Sequence, residues 1–327
     1  MRLTNPQLQN FIGRIKLPSD GMGIYREQMN NLRDKLAKKI DDDPKTGIRV
    51  TKFLIAGSWK KHTILRSSGD HPIDIDLVLF VEGDETLAND LERLHDFIVG
   101  YLTEIYPTKD ISRDTDAEGR TKSIKIKFVG TGLELDIVPV VPLDSPPEYV
   151  WQPERGGGGK YISSVSGQLA FFGERRRANP SITGIVRAAK WWRNDKELKP
   201  TKFEPGLSSY AIELIASHLD ISTGVEKNIE EGLIRFFQFL ATSGFRSISF
   251  LGAISAIPDF STPIFIADPT NNENNVVKKM TASKWDEIRG EALAAFEAFN
   301  IAQSRQFEGE TVEEWKRVFG PSFSIKS

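Results

Sequence analysis

Residues 53–80, FLIAGSWKKHTILRSSGDHPIDIDLVLF, hold the pattern that decides the fold. An apolar run ends at Gly57-Ser58, a polar loop follows, and Asp74 and Asp76 then stand two apart within IDIDLVLF. The pattern predicts strands over 50–56 and 73–81. Side chains of a strand alternate between faces, so both carboxylates point to one side. Ile75, Leu77 and Leu79 point to the other, where a helix can cover them. Two neighbouring acids on one face repel unless a cation lies between them. Mg²⁺ suits that place, because it takes carboxylate oxygens and keeps positions open for substrate phosphates.

Further along, KSIKIKFV at 122–129 alternates cleanly and predicts a half-exposed strand with Ile124, Ile126 and Phe128 inward. Gly130-Thr131-Gly132 turns the chain, and LELDIVPV at 133–140 returns as the second arm of a hairpin, with Glu134 and Asp136 on one face. Asp74, Asp76 and Asp136 are thus expected to converge as an oxygen cage for two Mg²⁺ ions, with Mn²⁺ as a substitute. Such a pair of ions activates an attacking hydroxyl and stabilises a leaving pyrophosphate. The plainer alternative is three surface acids on edge strands. Gly57 allows close approach to the backbone. Ser58 and the N–H groups of the turn opened by Trp59-Lys60-Lys61-His62-Thr63 can cradle phosphate, or Ser58 can simply cap that turn. Lys61 reads equally well as a phosphate contact or a solvated side chain.

The flanking sequence supplies helices. Residues 4–16 form a short amphipathic segment. Residues 22–41 carry Ile24, Met29, Leu32, Leu36 and Ile40 on one stripe, and 85–105 carry Leu87, Leu91, Leu94, Ile98 and Leu102. From about residue 143 the character changes. Prolines and the glycine run at 156–159 mark a loop or linker, and predicted helices follow at 163–178, 181–195, 206–219, 226–243 and 281–302, with an irregular stretch at 251–275. The expected division is a catalytic lobe over 1–150, including the N-terminal helices, and a helical lobe over 151–327. The glycine run before Lys160 is not a phosphate-binding P-loop, since Glu154 and Tyr161 stand where Gly and Ser or Thr are needed.

Composition excludes several classes. There is no cysteine, which removes disulfides, thiolate metal sites and cysteine nucleophiles. The 43 basic and 45 acidic residues nearly cancel, at net charge −2, so bulk capture of nucleic acid is not expected. No apolar run approaches the roughly 20 residues of a membrane span, and the N-terminus lacks a signal-peptide core, so a cytoplasmic protein without membrane contact is expected. The four histidines are scattered, which disfavours an imidazole metal site.

Gly57-Ser58 with Lys61, Thr63 and Arg66, then Asp74-x-Asp76-Leu77-Val78, then Leu133-Glu134-Leu135-Asp136-Ile137-Val138-Pro139, resembles the polymerase-β-type nucleotidyltransferase superfamily. Within it the sequence is most similar to oligoadenylate synthetases and the bacterial cGAS/DncV-like nucleotidyltransferases. The likeness continues into the second half. Arg187-Ala188-Ala189-Lys190-Trp191-Trp192 resembles the family helix whose lysine contacts triphosphate. Ser208-Ser209-Tyr210 resembles the Ser-Tyr helix whose tyrosine stacks on a base. Asp268-Pro269 with Asn275-Val276 resembles a family turn, here read as structural. The spacer from Arg66 to Asp74 is longer than in the animal synthetases.

The resemblance implies an α+β, bilobal enzyme: a polymerase-β-type sheet lobe and a helical-bundle lobe. Asp74, Asp76 and Asp136 are the catalytic and metal-binding acids. Gly57, Ser58, Lys61, Lys190, Ser208 and Tyr210 bind nucleotide, with ATP the first substrate to consider. Attack at the α-phosphate releases pyrophosphate and builds a cyclic or short oligonucleotide second messenger for antiphage signalling, with room for a regulatory protein partner. Tyr210 also reads as a core tyrosine, and Lys190 as a surface lysine. An RNA- or tRNA-tailing enzyme would use the same acids, as would a protein-modifying nucleotidyltransferase. An inactive nucleotide-binding scaffold is the alternative outside enzymes.

Overall fold

The computed structural model describes every residue except 68–71, 85, 116–118, 120, 154–158, 225–226 and 327. Most of the glycine run at 156–159 and most of the spacer between Arg66 and Asp74 therefore lie outside the described residues. In chain order the elements are α1 (Asn5–Ile15), α2 (Met22–Asp41), β1 (Arg49–Ile55), α3 (Gly57–Lys60), β2 (Ile73–Glu82), α4 (Leu91–Ile105), β3 (Asp110–Thr115), β4 (Thr121–Phe128), β5 (Leu133–Pro142), β6 (Val150–Pro153) and β7 (Lys160–Ser163). There follow α5 (Val165–Ala178), α6 (Ile182–Asp195), α7 (Ser209–Thr223), α8 (Ile229–Thr242), β8 (Ser247–Ile248), β9 (Phe265–Asp268), β10 (Asn271–Asn275), α9 (Ala282–Ser304) and α10 (Glu308–Phe319).

The chain divides into two compact units, Leu17–Leu169 and Met1–Lys16 with Ala170–Ser327. This differs from the division at residue 150 at both ends. The stretch 151–169 belongs with the sheet because β6 pairs with β5 and β7 with β6. Helix α1 belongs with the helices because its apolar stripe Leu8, Phe11, Ile12 and Ile15 is buried there, with the Phe11 ring 5.2 Å from Phe319 and 4.8 Å from Phe323.

In the sheet unit the main strand order is β1-β2-β5-β4-β3. The β2–β5 pair is parallel and its neighbours are antiparallel. A parallel pair needs a crossover, which α4 and the β3–β4 hairpin provide. One sheet face is apolar: Ile75, Leu77, Leu79, Ile124, Ile126, Leu135 and Ile137 are buried with Leu32 and Leu36 of α2 and Leu94, Ile98 and Leu102 of α4. Each such side chain contributes roughly 1.5–3 kcal/mol on burial. Ile24, expected on the α2 stripe, is 48% exposed, so the buried stripe begins at Met29. The opposite face is divided along its length. From Val78 onward it carries a second apolar layer of Ala56, Val78, Phe80, Val140, Val150 and Val165. Before Val78 it carries the acids.

The helical unit packs around aromatic side chains, among them Trp192 against Phe237 at 4.9 Å and Phe299 against Trp315 at 4.6 Å. Helix α10 was not anticipated. Part of the stretch 251–275, expected to be irregular, is the β9–β10 hairpin, with β8 parallel to β9. Asparagines hold it: Asn275 Oδ1 accepts from Ile266 N, and Asn272 exchanges two hydrogen bonds with the Phe250 backbone.

Candidate active site

The parallel register of β2 and β5 sets Asp74 beside Glu134 and Asp76 beside Asp136. Partners in register share a face, so four carboxylates lie on the side of the sheet opposite its main core. On the far side of β5, antiparallel β4 sets Lys125 beside Asp136 and Lys127 beside Glu134. The face is therefore striped, with two strands of acid and one of lysine.

Lys125 Nζ donates to Glu134 Oε2 at 2.8 Å and stands 3.6 Å from Asp136 Oδ1, while Lys127 Nζ stands 3.5 Å from Glu134 Oε1. Burial pushes the Asp136 carboxyl well above its ordinary range, and Asp74 adds to this by repulsion; Lys125 opposes it, but Asp76 works in the same direction as Asp74. For Lys125, burial favours the neutral amine. Attraction to Asp136, the hydrogen bond to Glu134 and attraction to Asp74 outweigh it, and the ammonium form is held more firmly than in water. Burial also works to raise Glu134, but the hydrogen bond from Lys125 prevails and its carboxylate is held below the usual range.

The loop after β1 closes on the same acids. Ala56 N donates to the Asp76 backbone carbonyl at 2.9 Å. Gly57 has φ +56°, and a Cβ there would lie 1.6 Å from Asp76 Oδ2. Only glycine fits, both for its conformation and for its lack of a side chain. The four-residue helix α3 then begins at Gly57, and buried Trp59 anchors it, its ring edge-on to Tyr25 at 6.5 Å. Ser58 is half-buried within this turn. Lys61 is 7% exposed and its backbone N–H donates to Gly57 O at 3.2 Å, so the solvated-surface reading of Lys61 does not hold.

In the helical unit, Ser208 is the N-cap of α7, its hydroxyl accepting from Ala211 N at 3.0 Å. Tyr210, two residues on, is half-buried. Lys190 is not a surface lysine: it is 4% exposed and 3.9 Å from Glu213 on α7. Asp268 Oδ1 accepts from the Thr270 N–H and hydroxyl, each at 2.8 Å, as a turn-forming residue does.

Residues 1–163 match the family described as the Second Messenger Oligonucleotide or Dinucleotide Synthetase domain. Over 327 residues, all of this chain and 99% of the relative, the sequence is 34% identical to the CBASS oligonucleotide cyclase CdnC of Escherichia coli strain KTE188. The chain belongs to the cGAS/DncV-like nucleotidyltransferases. Among solved structures it is similar to CdnC of E. coli MS115-1 with ATP, at TM-score 0.81 and 29% identity, covering 98% of this chain and 99% of that one. It is also similar to CdnC in the same organism's CdnC:HORMA-deltaN complex, at TM-score 0.79 and 29% identity, covering 98% of each chain.

As a cGAS/DncV-like nucleotidyltransferase, this protein is an enzyme with the α+β polymerase-β-type fold, of a family that works with divalent metal ions. The acid face suits such an ion in its chemistry. Its donors are hard carboxylate oxygens, Asp136 Oδ1 is buried without a hydrogen-bond partner, and the four carboxylates outnumber the two lysines by two charges. The expected closed cage is not formed as the side chains stand: among the described residues no three His, Asp or Glu converge tightly enough to hold a metal ion. Lys125 takes up part of the negative field instead. Sequence reading placed Glu134 and Asp136 on one face but missed the lysines opposite them. The signal was the Lys-Ile-Lys alternation of β4, whose polar positions face the acids of β5. Among the described residues no helix is long and apolar enough to cross a membrane.

Proposed function

We propose that this enzyme joins nucleoside triphosphates, ATP first among them, into a cyclic or short oligonucleotide second messenger of CBASS antiphage signalling. Asp74, Asp76 and Asp136 would hold two Mg²⁺ ions, which supply Lewis-acid stabilisation of the triphosphate and of the leaving group. The N–H groups at Gly57 and Ser58, with Lys61, receive phosphate oxygens. In the helical unit Tyr210 offers a ring face to a base, Ser208 fixes the start of that helix, and Lys190 contributes positive charge. The acceptor hydroxyl oxygen attacks the α-phosphorus, its proton passes to Asp136, and the bond from the α-phosphorus to the bridging oxygen breaks as pyrophosphate leaves.

The observation that carries this reading is the β2–β5 register, which puts Asp76 and Asp136 side by side on one face. Purified protein incubated with the four nucleoside triphosphates and Mg²⁺ is expected to release pyrophosphate and give cyclic products by mass spectrometry, and Asp76→Asn to abolish both. Extension of labelled RNA without a nucleotide-only product would favour the tailing reading. By similarity to CdnC, whose complex with HORMA-deltaN has been solved, a HORMA protein is the regulatory partner to test.

A further inference from the structure

Lys125 and Glu134 belong to the acid face but hold no place in the transfer step. The lysine lies beside Asp136 in the β4–β5 register, at the position where a neighbouring cation is needed. Its ammonium hydrogen-bonds Glu134 at 2.8 Å, while its 3.6 Å approach to Asp136 is too long for a hydrogen bond. Glu134 is thus the stronger anchor, and Asp136 keeps one buried oxygen without a hydrogen-bond partner. Lys127, 3.5 Å from Glu134, prevents that carboxylate from depending on Lys125 alone.

We propose that Lys125 is a tethered counter-cation that occupies the negative field of Asp136 until a divalent ion arrives, and that Glu134 is the residue that keeps it drawn aside so that the ion can enter. Both are positioning residues, acting through Asp136. The idea rests on the reading of Asp74, Asp76 and Asp136 as the metal-binding acids. Its consequence is a pair of opposite effects. Removing the ammonium leaves the acids uncompensated and ready for another cation. Removing the Glu134 charge frees the ammonium to settle on Asp136 and compete with the ion. A structural role of the ion pair predicts no such opposition, since losing either partner would loosen the same contact.

The test is Mn²⁺ affinity without nucleotide, read as free Mn²⁺ by electron paramagnetic resonance, on four full-length proteins of matched circular dichroism: the unaltered chain, Lys125→Met, Glu134→Gln and Asp76→Asn. Lys125→Met is expected to bind Mn²⁺ about ten-fold more tightly and Glu134→Gln about ten-fold more weakly, as one close charge contact in a half-buried site allows. Lys125→Met should also gain more thermal stability from Mn²⁺ than the unaltered chain does. Asp76→Asn separates the two levels of the argument. If it leaves Mn²⁺ affinity unchanged, the metal-site reading fails and this proposal with it. If it weakens affinity while Lys125→Met and Glu134→Gln shift together or not at all, the counter-cation idea alone is overturned. Should Lys125→Met not fold, Lys125→Gln, which keeps a polar end without the charge, must show the same tightening.

Discussion

The Asp76 carboxylate occupies the space that a side chain on residue 57 would need: a Cβ on Gly57 would stand 1.6 Å from Asp76 Oδ2. The loop after β1 and the acid strand β2 are therefore fitted to each other at atomic contact, and the hydrogen bond from Ala56 N to the Asp76 carbonyl fixes their spacing. Gly57→Ala must either turn the Asp76 side chain away or lift the loop. Displacement of a reacting group by about 1 Å costs roughly 100-fold in rate. Gly57→Ala is expected to lose at least that much of its pyrophosphate-release rate, with circular dichroism unchanged. Near-normal turnover would show that Asp76 does not work from this position.

Asp136 gives a pH signature. Burial and the neighbouring Asp74 hold its folded pKa above the unfolded value of about 3.9. The folded chain thus binds this proton more tightly than the unfolded chain. Its contribution to stability is complete below the unfolded pKa and is lost as pH rises through the raised folded pKa. In metal-free protein the melting temperature of Asp136→Asn should exceed that of the unaltered chain by a margin that grows with pH and then levels off. Mn²⁺ should shrink the margin by stabilising only the unaltered chain. A margin independent of pH would contradict the account.

Lys190 and Glu213, each buried, form an ion pair at 3.9 Å. Removing one partner of a buried ion pair costs up to about 3–5 kcal/mol, whereas replacing both by apolar side chains is often close to neutral; attraction between buried Arg193 and Glu213 lessens the loss here. Lys190→Met is expected to be strongly destabilised and Lys190→Met/Glu213→Met to recover. Chemical denaturation measures this. The double variant then separates stability from ligand binding: a raised KM for ATP in that stable protein supports a triphosphate contact, and an unchanged KM assigns Lys190 to the fold.

Ser208 and Tyr210 should separate in the same way. Loss of the N-cap hydroxyl in Ser208→Ala is expected to cost about 1 kcal/mol of stability. Tyr210→Ala should raise KM for ATP roughly ten-fold or more, in line with about 1–3 kcal/mol of base stacking. Chemical denaturation checks the first, and steady-state kinetics with titration of a non-hydrolysable ATP analogue checks the second.

The acid strand was legible because its signal is local. Period-two alternation in IDIDLVLF fixes which residues share a face, and KSIKIKF and LELDIVPV carry the same information. What strand alternation cannot supply is pairing. The β4–β5 hairpin was legible in its turn and is present, although its register, which sets Lys125 beside Asp136, was not read from it; that β2 runs parallel to β5 follows from no one segment. Strand β3, DISRDT, escaped notice because all its residues but Ile111 are charged or polar and none is fully buried. Strand β10, NNENN, escaped for a related reason: asparagine has little intrinsic preference for strands, and there its side chains replace backbone partners. Helix α1 was visible as amphipathic, but an apolar stripe does not say which core will take it. For Lys190 and Lys61 a surface reading stood beside the nucleotide-binding one because isolated lysines are usually exposed; both are buried.

The claim under all of this is that Asp74, Asp76 and Asp136 hold divalent ions beside the triphosphate. Crystals grown with Mn²⁺ and a non-hydrolysable ATP analogue, measured at the manganese edge, test it most directly. The account predicts anomalous peaks coordinated by these three carboxylates and by the analogue's phosphates, with Lys125 Nζ farther from Asp136 than 3.6 Å. Manganese bound elsewhere, or bound there without Asp136, would contradict it.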